Sequence, residues 1–145
     1  MDKTIKIFEM FAGYGGASFG LKKAQIPYEV IGYSEIKKHA IRCYEANHPN
    51  VKDYGDATKI NPKEIPNFDL LTAGFPCQAF SMAGKRKGFE DTRGTLFREI
   101  VRIAQEKKPK YMLLENVGGL PTHDNGKTFK IILNEIRRIG YGCVY

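Results

Sequence analysis

Cysteine is scarce in this chain, and long apolar runs are missing. Only Cys43, Cys77 and Cys143 occur, an odd and widely spaced set. Such a set fits neither a disulfide framework nor the paired spacing of a zinc site, so no metal is expected, and it points to a reducing, cytoplasmic setting. No apolar stretch approaches membrane length, and Met1-Asp2-Lys3-Thr4 leads into Ile5-Lys6-Ile7-Phe8 without an apolar leader, so neither a membrane partner nor a signal peptide is expected. Internal repeats, low-complexity segments and linkers are absent as well. What is there is 145 residues, the size of one domain, 42% apolar and 27% charged. Acidic residues are the minority, and a net charge of +7 admits a polyanion as partner without requiring one.

Strands and helices alternate along the chain. Residues 5–10 read as a first strand, followed by the glycine turn Ala12-Gly13-Tyr14-Gly15-Gly16 and a short helix over 18–24. A second strand is expected over 28–33, a helix over 37–47 ended by His48-Pro49, and a weak edge strand near 51–54. The apolar run Asp69-Leu70-Leu71-Thr72-Ala73 reads as a buried strand, as does 111–114. Leu96, Phe97, Ile100, Ile103 and Ala104 recur at helical spacing before Pro109, and Phe129, Ile132, Leu133 and Ile136 do so before Gly140. This alternation predicts an α/β fold: an open, mostly parallel, Rossmann-like sheet with helices on both faces.

Chemistry-bearing residues gather where strands end, the side on which open α/β sheets bind ligands. Cys77, in Gly74-Phe75-Pro76-Cys77-Gln78-Ala79-Phe80-Ser81, follows the strand at Leu70 and is either a nucleophile or a small buried hydrophobe. The glycine turn lets a cofactor approach the backbone, or is a plain tight turn. Glu35, 19 residues beyond Gly16, is placed to hold ribose hydroxyls. The third glycine of a dinucleotide fingerprint is replaced by Ser18, which favours a cofactor without a pyrophosphate. Asp56 either meets an adenine amino group or forms an Asx turn. Glu115, emerging from a buried strand, is expected to be a desolvated proton donor, against the alternative of a loop or helix cap. Lys85, Arg86 and Lys87 lie among glycines past Cys77, in a loop that either contacts nucleic acid or is simply solvated.

Taken together, Phe11-Ala12-Gly13-Tyr14-Gly15-Gly16, Ser34-Glu35, Gly55-Asp56, the Pro76-Cys77-Gln78 stretch and Glu115-Asn116-Val117 resemble the successive motifs of the DNA (cytosine-5) methyltransferases, in the family's order. Residues 87–97 and 123–128 are similar too, so the resemblance spans nearly the whole chain. It implies methyl transfer from S-adenosyl-L-methionine to C5 of cytosine, with Cys77 as the nucleophile that adds to C6 and Glu115 binding N3 and the exocyclic amine. It further implies that Phe11, Ala12, Gly13, Gly15, Gly16, Glu35, Ile36, Asp56 and Pro76 line the cofactor, Glu35 on its ribose and Asp56 on its adenine. Ile36 stands where the family often has an aromatic, so adenine packing there would be apolar. Gln78, Ser81, Lys85, Arg86 and Lys87 would contact double-stranded DNA from which the cytosine is flipped.

Past Tyr145 the resemblance has no counterpart for the family's later arginine motif, target-recognition region and closing segment. The sequence therefore reads as a partial methyltransferase domain, whether a piece of a longer enzyme, part of a split enzyme or a remnant. Two functions follow. One is the catalytic part of a cytosine methyltransferase; the other is a noncatalytic protein that keeps the fold and binds cofactor, DNA or a complementary chain. On either reading the sheet should be incomplete on its C-terminal side, leaving the strand at 111–114 as an open edge.

Overall fold

The computed structural model describes residues 4–75 and 94–145, the side chains of 94 and 95 excepted. Pro76, Cys77, Gln78, Ser81, Lys85, Arg86 and Lys87 lie outside the described residues. Among the described residues, four parallel strands, β1 (Ile5–Met10), β2 (Tyr28–Ser34), β3 (Leu70–Gly74) and β4 (Tyr111–Glu115), form one sheet in the order β2-β1-β3-β4. The helices are α1 (Gly16–Lys23), α2 (Lys38–Asn47), α3 (Gly94–Lys107) and α4 (Lys127–Arg138).

Alternation along β1 explains the layers. Phe8 and Met10 point to one face, with Leu71 and Ala73 of β3, into a core shared with Phe97, Ile100, Ile103 and Ala104 of α3 and Ile132 and Ile136 of α4. Ile7 and Glu9 point to the other, where Glu9 meets Ser18 of α1 and Tyr44 of α2. Both faces of β1 are thus buried, as a parallel sheet requires. Gly140 ends α4 as the repeat pattern predicts. Its φ is 98°, its N–H bonds Arg137 O at 2.9 Å, and the next N–H, of Tyr141, reaches Ile136 O at 3.2 Å, which is a Schellman closure.

The expected edge strand at 51–54 dwindles to a single bridge between Tyr33 and Asp53. Tyr33 N bonds Lys52 O at 3.0 Å and Tyr54 N bonds Tyr33 O at 2.8 Å. Pairing stops there because Asp53 Oδ1 turns to accept Gly55 N at 2.7 Å, and Gly55 adopts φ 63°. At the other side β4 is the sheet's edge among the described residues, and Tyr111 (64%) and Leu113 (58%) are exposed on the face opposite α3 and α4.

Candidate functional site

Because all four strands are parallel, their C-terminal ends lie along one side of the sheet, and the loops that follow β1, β2, β3 and β4 carry the glycine turn, Glu35, Phe75 and Asn116. A hollow of about 320 Å³ opens there, lined by Phe11, Ala12, Gly16 and Ala17 from the turn, Thr72 to Gly74 from β3, and Leu113 and Glu115 from β4. The glycine turn and Glu115, far apart in sequence, thereby share one space. A larger open depression, about 630 Å³, lies by Pro62, Arg102 and Lys108 and includes none of these strand-end residues.

The turn is built by backbone geometry that glycine permits. Gly15 has φ 84°, and a Cβ on it would stand 2.8 Å from His48 Nε2 and 3.1 Å from the Tyr44 ring. Ala12 N bonds Ser34 O at 3.1 Å, joining the turn to the end of β2. Glu35 reinforces that joint: Oε2 accepts Gly13 N at 2.9 Å, and Oε1 accepts Ile36 N at 2.8 Å and Lys37 N at 2.9 Å. Desolvation acts to raise its pKa, but the amides of Lys37, Ile36 and Gly13 outweigh it and hold the carboxyl below its ordinary value. A carboxylate has about four acceptor sites, so after three amides Glu35 keeps capacity for a hydroxyl. Ile36 beside it is 70% exposed.

Asp56 takes up the turn geometry that was one of its two readings. It caps the 3₁₀ turn Ala57–Lys59, Oδ1 accepting from Thr58 N at 3.0 Å and Thr58 Oγ1 at 2.8 Å. The Thr58 amide, then its hydroxyl, hold the carboxyl below the ordinary range against a smaller desolvation effect. Asp56 does not line the hollow, but its loop is tied to β2 by Ser34 Oγ donating to Gly55 O at 2.6 Å. Glu115 corrects an expectation. It is exposed at the end of β4, the edge strand among the described residues, so the burial foreseen for it is not found. Its Oε2 lies 3.0 Å from where a Cβ of Gly74 would stand. A side chain at position 74 would push that carboxylate off the end of β3.

Three features escaped the sequence reading. Glu9 is buried and charged, accepting Ser18 N at 3.0 Å and the Tyr44 hydroxyl, while Ser18 Oγ meets His48 Nε2 at 3.0 Å and Gly15 O at 2.8 Å. This network underpins the turn from below, and a carboxylate inside an apolar strand was its signal. Asn116 Nδ2 donates to Phe75 O at 2.5 Å, fixing the residue that precedes Pro76 and Cys77. Arg102 donates to Ile60 O and Ala57 O. Among the described residues, no group of His, Cys, Asp and Glu is placed to hold a metal ion, and no helix is long and apolar enough to cross a membrane.

The family model for C-5 cytosine-specific DNA methylase matches residues 5–145. The type II methyltransferase M1.ScrFI of Lactococcus lactis subsp. cremoris is 53% identical over 94% of this chain and 34% of its own length. The type II methyltransferase M.NgoBV of Neisseria gonorrhoeae is 47% identical over 96% of this chain and 36% of its own. The chain thus spans about a third of the length of these curated relatives. Among solved structures, the S. pombe Dnmt2 methyltransferase superposes with a TM-score of 0.78 at 27% identity, over 95% of this chain and 43% of that one.

Proposed function

The chain belongs to the C-5 cytosine-specific DNA methylase family, and from that membership we propose that it is the catalytic and cofactor-binding part of an enzyme that methylates C5 of cytosine in DNA. The observation that carries this reading is the shared hollow, where the glycine turn and Glu115 meet beside Gly74, two residues before Pro76-Cys77. S-adenosyl-L-methionine, when bound, supplies the methyl group. Glu35, already ionised and with acceptor capacity left, suits a ribose, and Asp56, with Oδ1 engaged by Thr58, has Oδ2 for an adenine amine. Cytosine C5 is a weak nucleophile. Addition of the Cys77 thiolate to C6 forms an Sγ–C6 bond and gives C5 enamine character; after methylation, loss of the C5 proton expels the thiolate and restores the ring. Glu115 steadies the base through N3 and its amine, and the base must leave the duplex to reach it.

The covalent step has a direct test. With the remainder of the relatives' length supplied as a complementary fragment, DNA containing 5-fluorocytosine together with S-adenosyl-L-methionine should trap an adduct at Cys77, because fluorine blocks the elimination. Peptide mass mapping should find it, and Cys77→Ser should abolish it. An adduct that persists in Cys77→Ser overturns the assignment. A second reading, a noncatalytic subunit that binds cofactor, DNA or a complementary chain, draws support from the exposed Tyr111 and Leu113.

A further inference from the structure

We infer that Arg102 is a positioning residue for the adenine side of the cofactor site, acting through Asp56; the inference rests on the site proposed above. The segment from His48 to Asp69 contains neither a strand nor an α-helix, only the 3₁₀ turns Ala57–Lys59 and Pro62–Glu64. Its course therefore depends on a few cross-links. One is the Ser34 hydroxyl on Gly55 O, just before Asp56. Another comes from α3. Arg102 sends Nη2 to Ala57 O at 3.0 Å and Nη1 to Ile60 O at 2.7 Å, so one guanidinium grips the first residue of the turn and the residue that ends it.

The grip is itself fixed. Glu99, one helical turn earlier, accepts Arg102 Nε at 2.7 Å and Nη2 at 2.5 Å, which holds the planar fork in one orientation. Asp56 opens the same turn, and its Oδ1 is pinned by Thr58, the residue between the two carbonyls' ends of the grip. The Asp56 carboxylate is thus oriented by the turn, and the turn by Arg102. Lysine cannot replace the fork, because a single ammonium lacks the geometry to reach both carbonyls while pairing with Glu99. Ala57 and Ile60 also pack in the core beneath, with Ile100 and Ile103. A purely structural role would therefore loosen the whole molecule, whereas a positioning role acts on one part of one ligand.

Calorimetric titration distinguishes the two. S-adenosyl-L-homocysteine and its hypoxanthine counterpart, which lacks the amine that Asp56 would bind, are titrated into the wild-type chain and into Arg102→Ala, Arg102→Lys, Asp56→Ala and the Arg102→Ala/Asp56→Ala double variant. Arg102→Ala should weaken the adenine ligand by about tenfold, the scale of a lost charge-assisted hydrogen bond. It should leave the hypoxanthine ligand unchanged and add nothing in the Asp56→Ala background, while Arg102→Lys should recover only part of the loss. Equal losses for both ligands, or additive losses in the double variant, overturn the inference, as does unchanged adenine affinity. If Arg102→Ala does not fold, Arg102→Lys carries the same comparison. Failure of the wild type to bind either ligand removes the proposed cofactor site and the inference with it.

Discussion

Two buried tyrosines separate a polar contact that stabilises from one that is only tolerated. Tyr44 donates to the Glu9 carboxylate, so Tyr44→Phe strips a buried charge of one of its partners and should cost about 1.5 to 3 kcal/mol in a urea titration. Tyr33 stacks on Tyr44 with ring centroids 4.0 Å apart, but among the described residues its enclosed hydroxyl has no hydrogen bond of regular geometry, although the Asp53 carboxylate is near enough to act on it. Tyr33→Phe should therefore change stability by less than about 0.5 kcal/mol. Burial first, then the charges of Asp53 and Glu45, push the Tyr33 pKa up to about 12, and burial with Glu9 pushes Tyr44 up as well. A raised pKa means the folded state favours the protonated phenol. The linked stability is complete below the ordinary value of 10.0 and disappears as pH rises to about 12 and beyond. Unfolding and tyrosinate absorbance, followed together, should rise in that window. Much at this scale was hidden in the sequence. Glu99 and Arg102 sit at the spacing of an ordinary surface pair, and nothing in that spacing shows the guanidinium crossing to Ala57 and Ile60.

Elements were more legible, because apolar runs and helical repeats are local signals. The four strands and the helices that cover them follow the periodicity of the sequence, and Gly140 marks the end of α4 as expected. The segment at 51–54 misled because its β-favouring Val51 and Tyr54 suit a strand, while Asn50 and Gly55 in the left-handed region confine it to one bridge. Close approach between elements could not be read from pattern either. Gly32 of β2 lies under Tyr54, whose ring would be 2.5 Å from an added Cβ, and Gly15 faces His48 and Tyr44. Gly15→Ala must also hold alanine at φ 84°. It should cost about 1 to 3 kcal/mol and weaken the cofactor site, measured by denaturant midpoint and ligand titration. Gly20→Ala, with open space around it in the middle of α1, is the control and should raise stability by about 0.4 to 1 kcal/mol.

As a whole molecule the chain is basic, and among the described residues its sheet is open on one side. Tyr111, Leu113 and Val117 expose 64%, 58% and 60% of their surface at and just beyond β4, the unpaired sheet edge among the described residues. An uncovered apolar edge templates association, so the isolated chain should show a concentration-dependent molar mass that Leu113→Lys lowers toward the monomer. With a net charge of +7, it should also hold DNA weakly, without sequence preference and with strong dependence on salt. The proposed chemistry nevertheless depends first on the strand-end site that the chain builds from its own residues. Calorimetric titration of S-adenosyl-L-methionine into wild type and Glu35→Ala tests it most directly. The wild type should bind and Glu35→Ala should lose about 1.5 to 3 kcal/mol, whereas an absence of binding, or equal affinity in the two proteins, would contradict it.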